Sequence, residues 1–222
     1  MQLSYSSLSV MKSCARCFYF DRRLKLPRPR GIKSGMPNAV DRILKEALAA
    51  YQGDLPPVLK VESKLQGFQL YKGADLKKMR HWKTNPYKME DPNGNCIVGA
   101  FDDLLYNPTT DEYAYLDYKT TGINPAPDFG EKYYQSQCDI YTNFLRRGGK
   151  KIADFGVLLF FFPEPGENGN VTFKSKAVFL TPNPKAADII FEEAIKLLEN
   201  KEAPKSSTEC EYCLFVTARN TP

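Results

Sequence analysis

Long apolar runs are missing from this chain of 222 residues. The longest, VLLFFF at 157–162, has the length of a strand and falls well short of the roughly 20 residues that cross a bilayer. The opening stretch, MQLSYSSLSVMKSC, carries neither a basic n-region nor an extended apolar core, so no secretory signal is expected. Internal repeats and low-complexity tracts are also lacking, which argues against a solenoid or a disordered tail. Histidine occurs once, as His81, leaving a single imidazole for any site. The remainder is ordinary for a globular protein: 42% apolar, 26% charged and 13% aromatic. The length suits one well-packed domain spanning 1–222, and the expected setting is cytoplasmic, with no membrane partner. A net charge of +5 leans towards a polyanionic partner, but weakly.

Along the chain, residues 3–24 read as an amphipathic helix behind a serine-rich cap, broken near Cys14 to Cys17. A basic Pro/Gly loop follows (25–37), then a helix begun by Pro37, with Ser34 or Asn38 near its start and Val40, Ile43, Leu44, Ala47 and Leu48 on one stripe. Residues 53–95 are irregular; a short strand at 59–63 and a helix near 74–82 are expected. CIVGAFDDLLY (96–106) and YAYLDYKTT (113–121) then read as the two strands of a hairpin. A helix at 131–148, strands at 153–163 and 171–180, and a helix at 182–201 complete the pattern. This order predicts an α/β fold, a mixed sheet flanked by helices.

One stretch of the hairpin is chemically odd. Side chains alternate along a strand, so Asp117 and Lys119 share a face, about 7 Å apart, while Tyr118 points away. The preceding strand, Gly99-Ala-Phe-Asp102, can bring a second carboxylate beside Asp117. Two close carboxylates repel unless a cation lies between them. Hard oxygen donors with open positions suit Mg²⁺ or Mn²⁺. Lys119 would then lie where a metal-activated water meets a phosphate, and could stabilise developing negative charge. Gln137 and Tyr141, four apart on the following helix, share a face that could position a nucleic-acid backbone or the lysine.

The series G-x-x-D (Gly99 to Asp102), D-x-K (Asp117 to Lys119) and Q-x-x-x-Y (Gln137 to Tyr141) resembles the PD-(D/E)XK nuclease superfamily, and its last element resembles the RecB-like exonuclease branch. The resemblance is close over 96–141, and S-Y-S-S-L with C-A-R-C-F-Y resembles the opening helix of that branch. It implies a restriction-endonuclease-like core, roughly 37–180, and a Mg²⁺- or Mn²⁺-dependent DNA nuclease, most often an exonuclease, in DNA repair, recombination or CRISPR-type processing. Asp102 and Asp117 would hold the metal, Lys119 would stabilise the transition state, and Gln137 and Tyr141 would support positioning. The branch usually supplies a further ligand, a histidine, from an early helix. The matching helix here offers Asp41, which is preferred to His81, and the glycine spacing prefers Asp102 to Asp103. The alternative is a nucleic-acid-binding subunit with the nuclease fold, acting inside a larger repair or CRISPR-type complex.

Four of the six cysteines form two C-x2-C pairs, Cys14 with Cys17 and Cys210 with Cys213. In a reducing compartment such pairs indicate metal or redox chemistry rather than disulfides. If residues 1–24 and 202–216 meet, the four thiolates make one site, which generally reads as zinc. The RecB-like resemblance implies instead an iron–sulfur staple, although that staple usually draws one cysteine from the front and three from the back. Iron–sulfur is the expectation and zinc the alternative; Cys96 and Cys138 are expected in the core. Two further segments are candidates for backbone contact with nucleic acid. One is Arg28, Arg30 and Lys33; the other is Lys77, Lys78, Arg80, Lys83 and Lys88 with Trp82 and Tyr87.

Overall fold

A computed structural model describes residues 1–29, 31 and 35–220. Arg30, Lys33 and Ser34, named above as phosphate-contact or helix-start candidates, lie outside the described residues. Strand β1 (Gln2–Ser4) enters α1 (Tyr5–Ser13) through a reciprocal cap: the Ser7 backbone N–H donates to Ser4 Oγ, and the Ser4 N–H donates to Ser7 Oγ. Extended backbone at Cys14 ends α1 and opens α2 (Ala15–Arg22), the break anticipated at that cysteine. Helix α3 (Gly35–Ala49) carries Pro37 in its first turn. Its apolar stripe is covered only in part, with Val40 half-buried and Ala47 exposed. Leu48 is buried and Leu44 half-buried, but Ile43 is 55% exposed.

Two expectations for the irregular region change. The strand placed at 59–63 is a helical turn, α4 (Pro57–Lys60), followed by a 3₁₀ turn at Ser63–Leu65. Pro57 explains this: it has the φ of a first helical turn and no N–H to offer a ladder. The helix placed near 74–82 shortens to α5 (Leu76–Met79), after β2 (Gln69–Leu70) and before β3 (Met89–Glu90).

The segment 96–106 is two strands rather than one. β4 (Cys96–Val98) runs parallel to β1 and antiparallel to β3 in a three-stranded sheet, whereas β5 (Asp103–Asn107) joins the main sheet. The chain changes sheets across Gly99–Asp102. A Cβ on Gly99 would sit 2.5 Å from the Tyr141 hydroxyl oxygen, so this close passage needs a glycine.

In the main sheet, β5 pairs antiparallel with β6 (Glu112–Thr120), as the hairpin reading required. Helix α6 (Phe129–Arg147) carries the crossover to β8 (Gly156–Pro165), parallel to β6, and β9 (Val171–Leu180) returns antiparallel. β2 extends the β5 edge and β7 (Lys151–Ile152) adds to β6. β8 is buried on both faces. Leu158 and Phe160 belong to a core with Ile140 and Phe144 of α6 and Phe191 of α7 (Pro184–Glu199). Val157 and Leu159 belong to a second core with Leu48 and Leu59. The result is an α/β architecture, a mixed sheet with helices on both faces. Helix α8 (Glu211–Asn220) brings the C-terminal cysteines to the α1–α2 junction.

Candidate active site and cysteine centre

Alternation along β6 places Tyr115 and Asp117 on the α6 side of the sheet and Tyr118 in the opposite core. Asp117 is almost sealed, its side chain 5% exposed. One carboxylate oxygen accepts a 3.0 Å hydrogen bond from Gln137 Nε2, and the other is ion-paired with Lys119 Nζ. The Lys119 ammonium also lies 4.9 Å from the centre of the Tyr134 ring. Burial pushes the Asp117 carboxyl up to about 6, against the pull of Lys119 and with the help of the Asp102 charge. Gln137 Oε1, on the amide that braces Asp117, is buried without a hydrogen-bond partner among the described residues.

Asp102 lies just before β5. Asp103 pairs with Leu116, so continuing that register by one residue sets Asp102 across from Asp117. Asp102 Oδ2 accepts from the Tyr118 N–H at 3.1 Å, and Oδ1 lies 2.7 Å from Lys45 Nζ. Lys45 reaches back along α3 to Asp41 Oδ2 at 2.9 Å, so Asp41 approaches Asp102 only through this lysine. Burial works against the Lys45 charge, but Asp102 and Asp41 outweigh it and raise its pKa. Among the described residues, Asp41, Asp102 and Asp117 do not converge on one point as a ready three-carboxylate cage. Two lysines neutralise them instead.

Asp103 serves a different purpose. Its fully buried carboxylate is 2.6 Å from Arg80 Nη2 and accepts from the Tyr118 hydroxyl at 3.1 Å, while Arg80 Nε donates to the Asp102 carbonyl at 3.0 Å. Arg80 thus fixes the backbone that presents Asp102. Tyr141 packs edge-on against Phe101 at 5.2 Å, and Gly99 lies over its hydroxyl. Gln137 and Tyr141 are both buried, while Tyr133 is 53% exposed, so the face of α6 that carries Gln137 and Tyr141 points inward. His81 is exposed.

The basic and aromatic candidates separate. Arg80 belongs to the Asp103 clamp, Lys88 pairs with Glu90 at 2.7 Å, and the Tyr87 ring packs where Gly148 leaves room. Lys77, Lys78, Trp82 and Lys83 stay exposed. Arg28 sits at the cysteines rather than on an open loop: its Nη2 is 3.6 Å from Cys210 Sγ and 3.1 Å from Ser13 Oγ.

There the four sulfurs of Cys14, Cys17, Cys210 and Cys213 lie within 4.8 Å of one another, a cluster able to coordinate a metal ion. Burial works against a Cys14 thiolate, but backbone hydrogen bonds from Cys17 and Ser207 and the Cys210 and Cys17 thiols outweigh it, bringing it to about 6. Cys138 is fully buried against Gly156, and Cys96 is half-buried on β4.

The family profile of the PD-(D/E)XK nuclease superfamily matches residues 2–218.

The chain belongs to the PD-(D/E)XK nuclease superfamily.

A crystal structure from Eubacterium rectale, named "Putative exonuclease", shares the fold at a TM-score of 0.54 and 12% sequence identity. The match covers 96% of this chain and 87% of that one. The curated proteins hold no match. From the sequence, Lys45 was passed over, and Arg80 was placed in a basic patch and Asp103 as the alternative to Asp102 without pairing the two. The signal for Lys45 was its spacing of four from Asp41 on a helix, which allows an ion pair. Arg80 and Asp103 carried no comparable signal, being 23 residues apart.

Proposed function

We propose that this PD-(D/E)XK superfamily member is a Mg²⁺- or Mn²⁺-dependent deoxyribonuclease, acting as an exonuclease in DNA repair, recombination or CRISPR-type processing in the cytoplasm. The observation that carries the reading is Asp117: a sealed carboxylate, held by Gln137, facing Lys119 on the same strand face. A buried carboxylate whose ionisation is opposed by its surroundings is a poor structural choice and a good cation ligand. The donor set fits a hard divalent cation: carboxylate oxygens of Asp102 and Asp117, with the unpartnered Gln137 Oε1 nearby. When bound, the cation supplies a Lewis acid and an activated water.

The protein's own groups do the rest. Asp117 and Asp102 would hold the cation, and Asp41, joined to Asp102 through Lys45, would offer a further carboxylate. Gln137 keeps the Asp117 carboxylate oriented. Tyr134 and Asp117 hold the Lys119 ammonium, which stabilises negative charge on the scissile phosphate. Tyr141 and Gly99 fix the turn that presents Asp102. Exonuclease action rests on the family branch implied by the motifs and on the name of the Eubacterium rectale neighbour.

Lys45 favours a second reading, a nucleic-acid-binding subunit that works only in a larger complex. Its ammonium on Asp102 is the cation that a resting, non-catalytic site would use. End-labelled single- and double-stranded DNA, incubated with Mn²⁺, Mg²⁺ or EDTA, separates the two. Metal-dependent shortening supports the nuclease, and its product ladder gives polarity. DNA binding with no cleavage in either metal supports the subunit.

A further inference from the structure

We infer that the four cysteines hold one tetrahedral zinc ion and not an iron–sulfur cluster. With metal–sulfur bonds of about 2.3 Å, tetrahedral geometry separates the sulfurs by roughly 3.8 Å. Here Cys17 Sγ is 3.6 Å from both Cys210 Sγ and Cys213 Sγ, and Cys14 Sγ is 3.9 Å from Cys213 Sγ. No pair in the set exceeds 4.8 Å. In a polynuclear cluster the thiolates are divided among two or more irons, and those on separate irons stand on the order of 6 Å apart. The sulfur tetrahedron is too small to enclose one.

Four thiolates around a divalent ion leave a net double negative charge. Arg28 meets it: its guanidinium is 3.6 Å from Cys210 Sγ and lies 4.8 Å from the centre of the Tyr212 ring. The ion would also be the principal anchor of α8, where Leu214, Phe215 and Val216 are all more than half exposed. Protein purified anaerobically tests this by metal content, acid-labile sulfide and hydrogen exchange. The expected result is about one zinc per chain and no sulfide, with exchange in α8 rising at least tenfold in Cys213→Ser while the main sheet stays protected. Iron, with or without sulfide, or no retained metal with all four cysteines reduced, overturns it.

A separate cavity carries a second inference, which rests on the nuclease reading. A hollow of about 480 Å³ lies behind the Asp117 brace, lined among others by Tyr5, Arg22, Trp82, Gly99, Gln137 and Tyr141. Its size falls within the usual range for small-ligand pockets. Trp82 is 45% exposed at this hollow, with the Lys83 ammonium 5.4 Å from its ring centre. An indole face, a guanidinium and a nearby ammonium are the groups that hold a base and its phosphate; the Arg22 guanidinium rests on Asp21 at 2.9 Å, the partner a phosphate would displace or share. We infer that the hollow receives one unstacked nucleotide of a single strand, stacked on Trp82 with its phosphate towards Arg22.

Trp82 is the chain's only tryptophan, so its fluorescence reports the pocket directly. Short oligothymidylate titrated without Mg²⁺ or Mn²⁺ should quench the fluorescence saturably, with the midpoint shifted at least fivefold by Arg22→Ala. Oligonucleotide binding detected by anisotropy with unchanged Trp82 fluorescence overturns the pocket. Quenching in a protein that cleaves nothing when Mn²⁺ is added leaves the pocket standing and removes the nuclease reading.

Discussion

Replacing Asp117 with asparagine should stabilise the folded protein at neutral pH in the absence of added Mg²⁺ or Mn²⁺. In the folded state burial raises the carboxyl from 3.8 to about 6. The folded protein therefore holds this proton more tightly than the unfolded chain does. Stability contributed by Asp117 is fully present below about pH 4, is lost as pH rises towards 6, and stays lost above it. A shift of roughly 2 units corresponds to about 3 kcal/mol. Asparagine never ionises, and its Oδ1 can still accept from Gln137 Nε2. Lys119 loses its partner in the exchange, but at 18% side-chain exposure it retains some access to water, which offsets part of the gain. The net expectation is about 1–2 kcal/mol in favour of Asp117→Asn at pH 7.5, shrinking to zero or reversing at pH 4.5. Urea denaturation at the two pH values measures it. The informative quantity is the difference between variant and wild type, because burial also raises Asp103 and Asp139 and they contribute equally to both proteins. A variant destabilised equally at both pH values would refute the reasoning.

Three further outcomes follow from the same geometry. Lys45→Ala removes the ammonium 2.7 Å from Asp102, so Mn²⁺ affinity measured by calorimetry should rise several-fold. Arg80→Ala strands a fully buried carboxylate at Asp103 and should cost about 3 kcal/mol in denaturant melts; an effect under about 0.5 kcal/mol would contradict the clamp. Gly99→Ala places a methyl 2.5 Å from the Tyr141 hydroxyl oxygen and 3.2 Å from Phe144, so a loss of about 1–3 kcal/mol is expected in thermal unfolding.

The parts of the molecule legible in the sequence were those whose signals are local. Alternation in YLDYKTT exposed the shared face of Asp117 and Lys119. The apolar run 157–162 announced a strand buried on both sides, and the paired glycines 148 and 149 marked the end of α6. The illegible parts depend on partners distant in sequence. Nothing in CIVGAFDDLLY showed that its first residues pair with β1, almost a hundred positions earlier, because each half alone has strand character. The apolar stripe of α3 promised a covered helix, but a periodic pattern does not say how much of that face its neighbours cover, and Ile43 stays exposed. The basic segment around Trp82 read as one patch because charge is visible in sequence and its compensation is not. Arg80 had a buried aspartate waiting on another element.

The most direct test of the account is the single-turnover cleavage rate of end-labelled DNA at saturating Mn²⁺ for wild type and Lys119→Ala, with Mn²⁺ binding measured on both. Lys119 would act on the phosphate, and Asp117 on the metal. The account predicts that the substitution lowers the rate roughly 10²-fold or more while Mn²⁺ remains bound. Cleavage by Lys119→Ala at the wild-type rate would contradict it, and would mean that the charges facing each other on β6 do not form the active site.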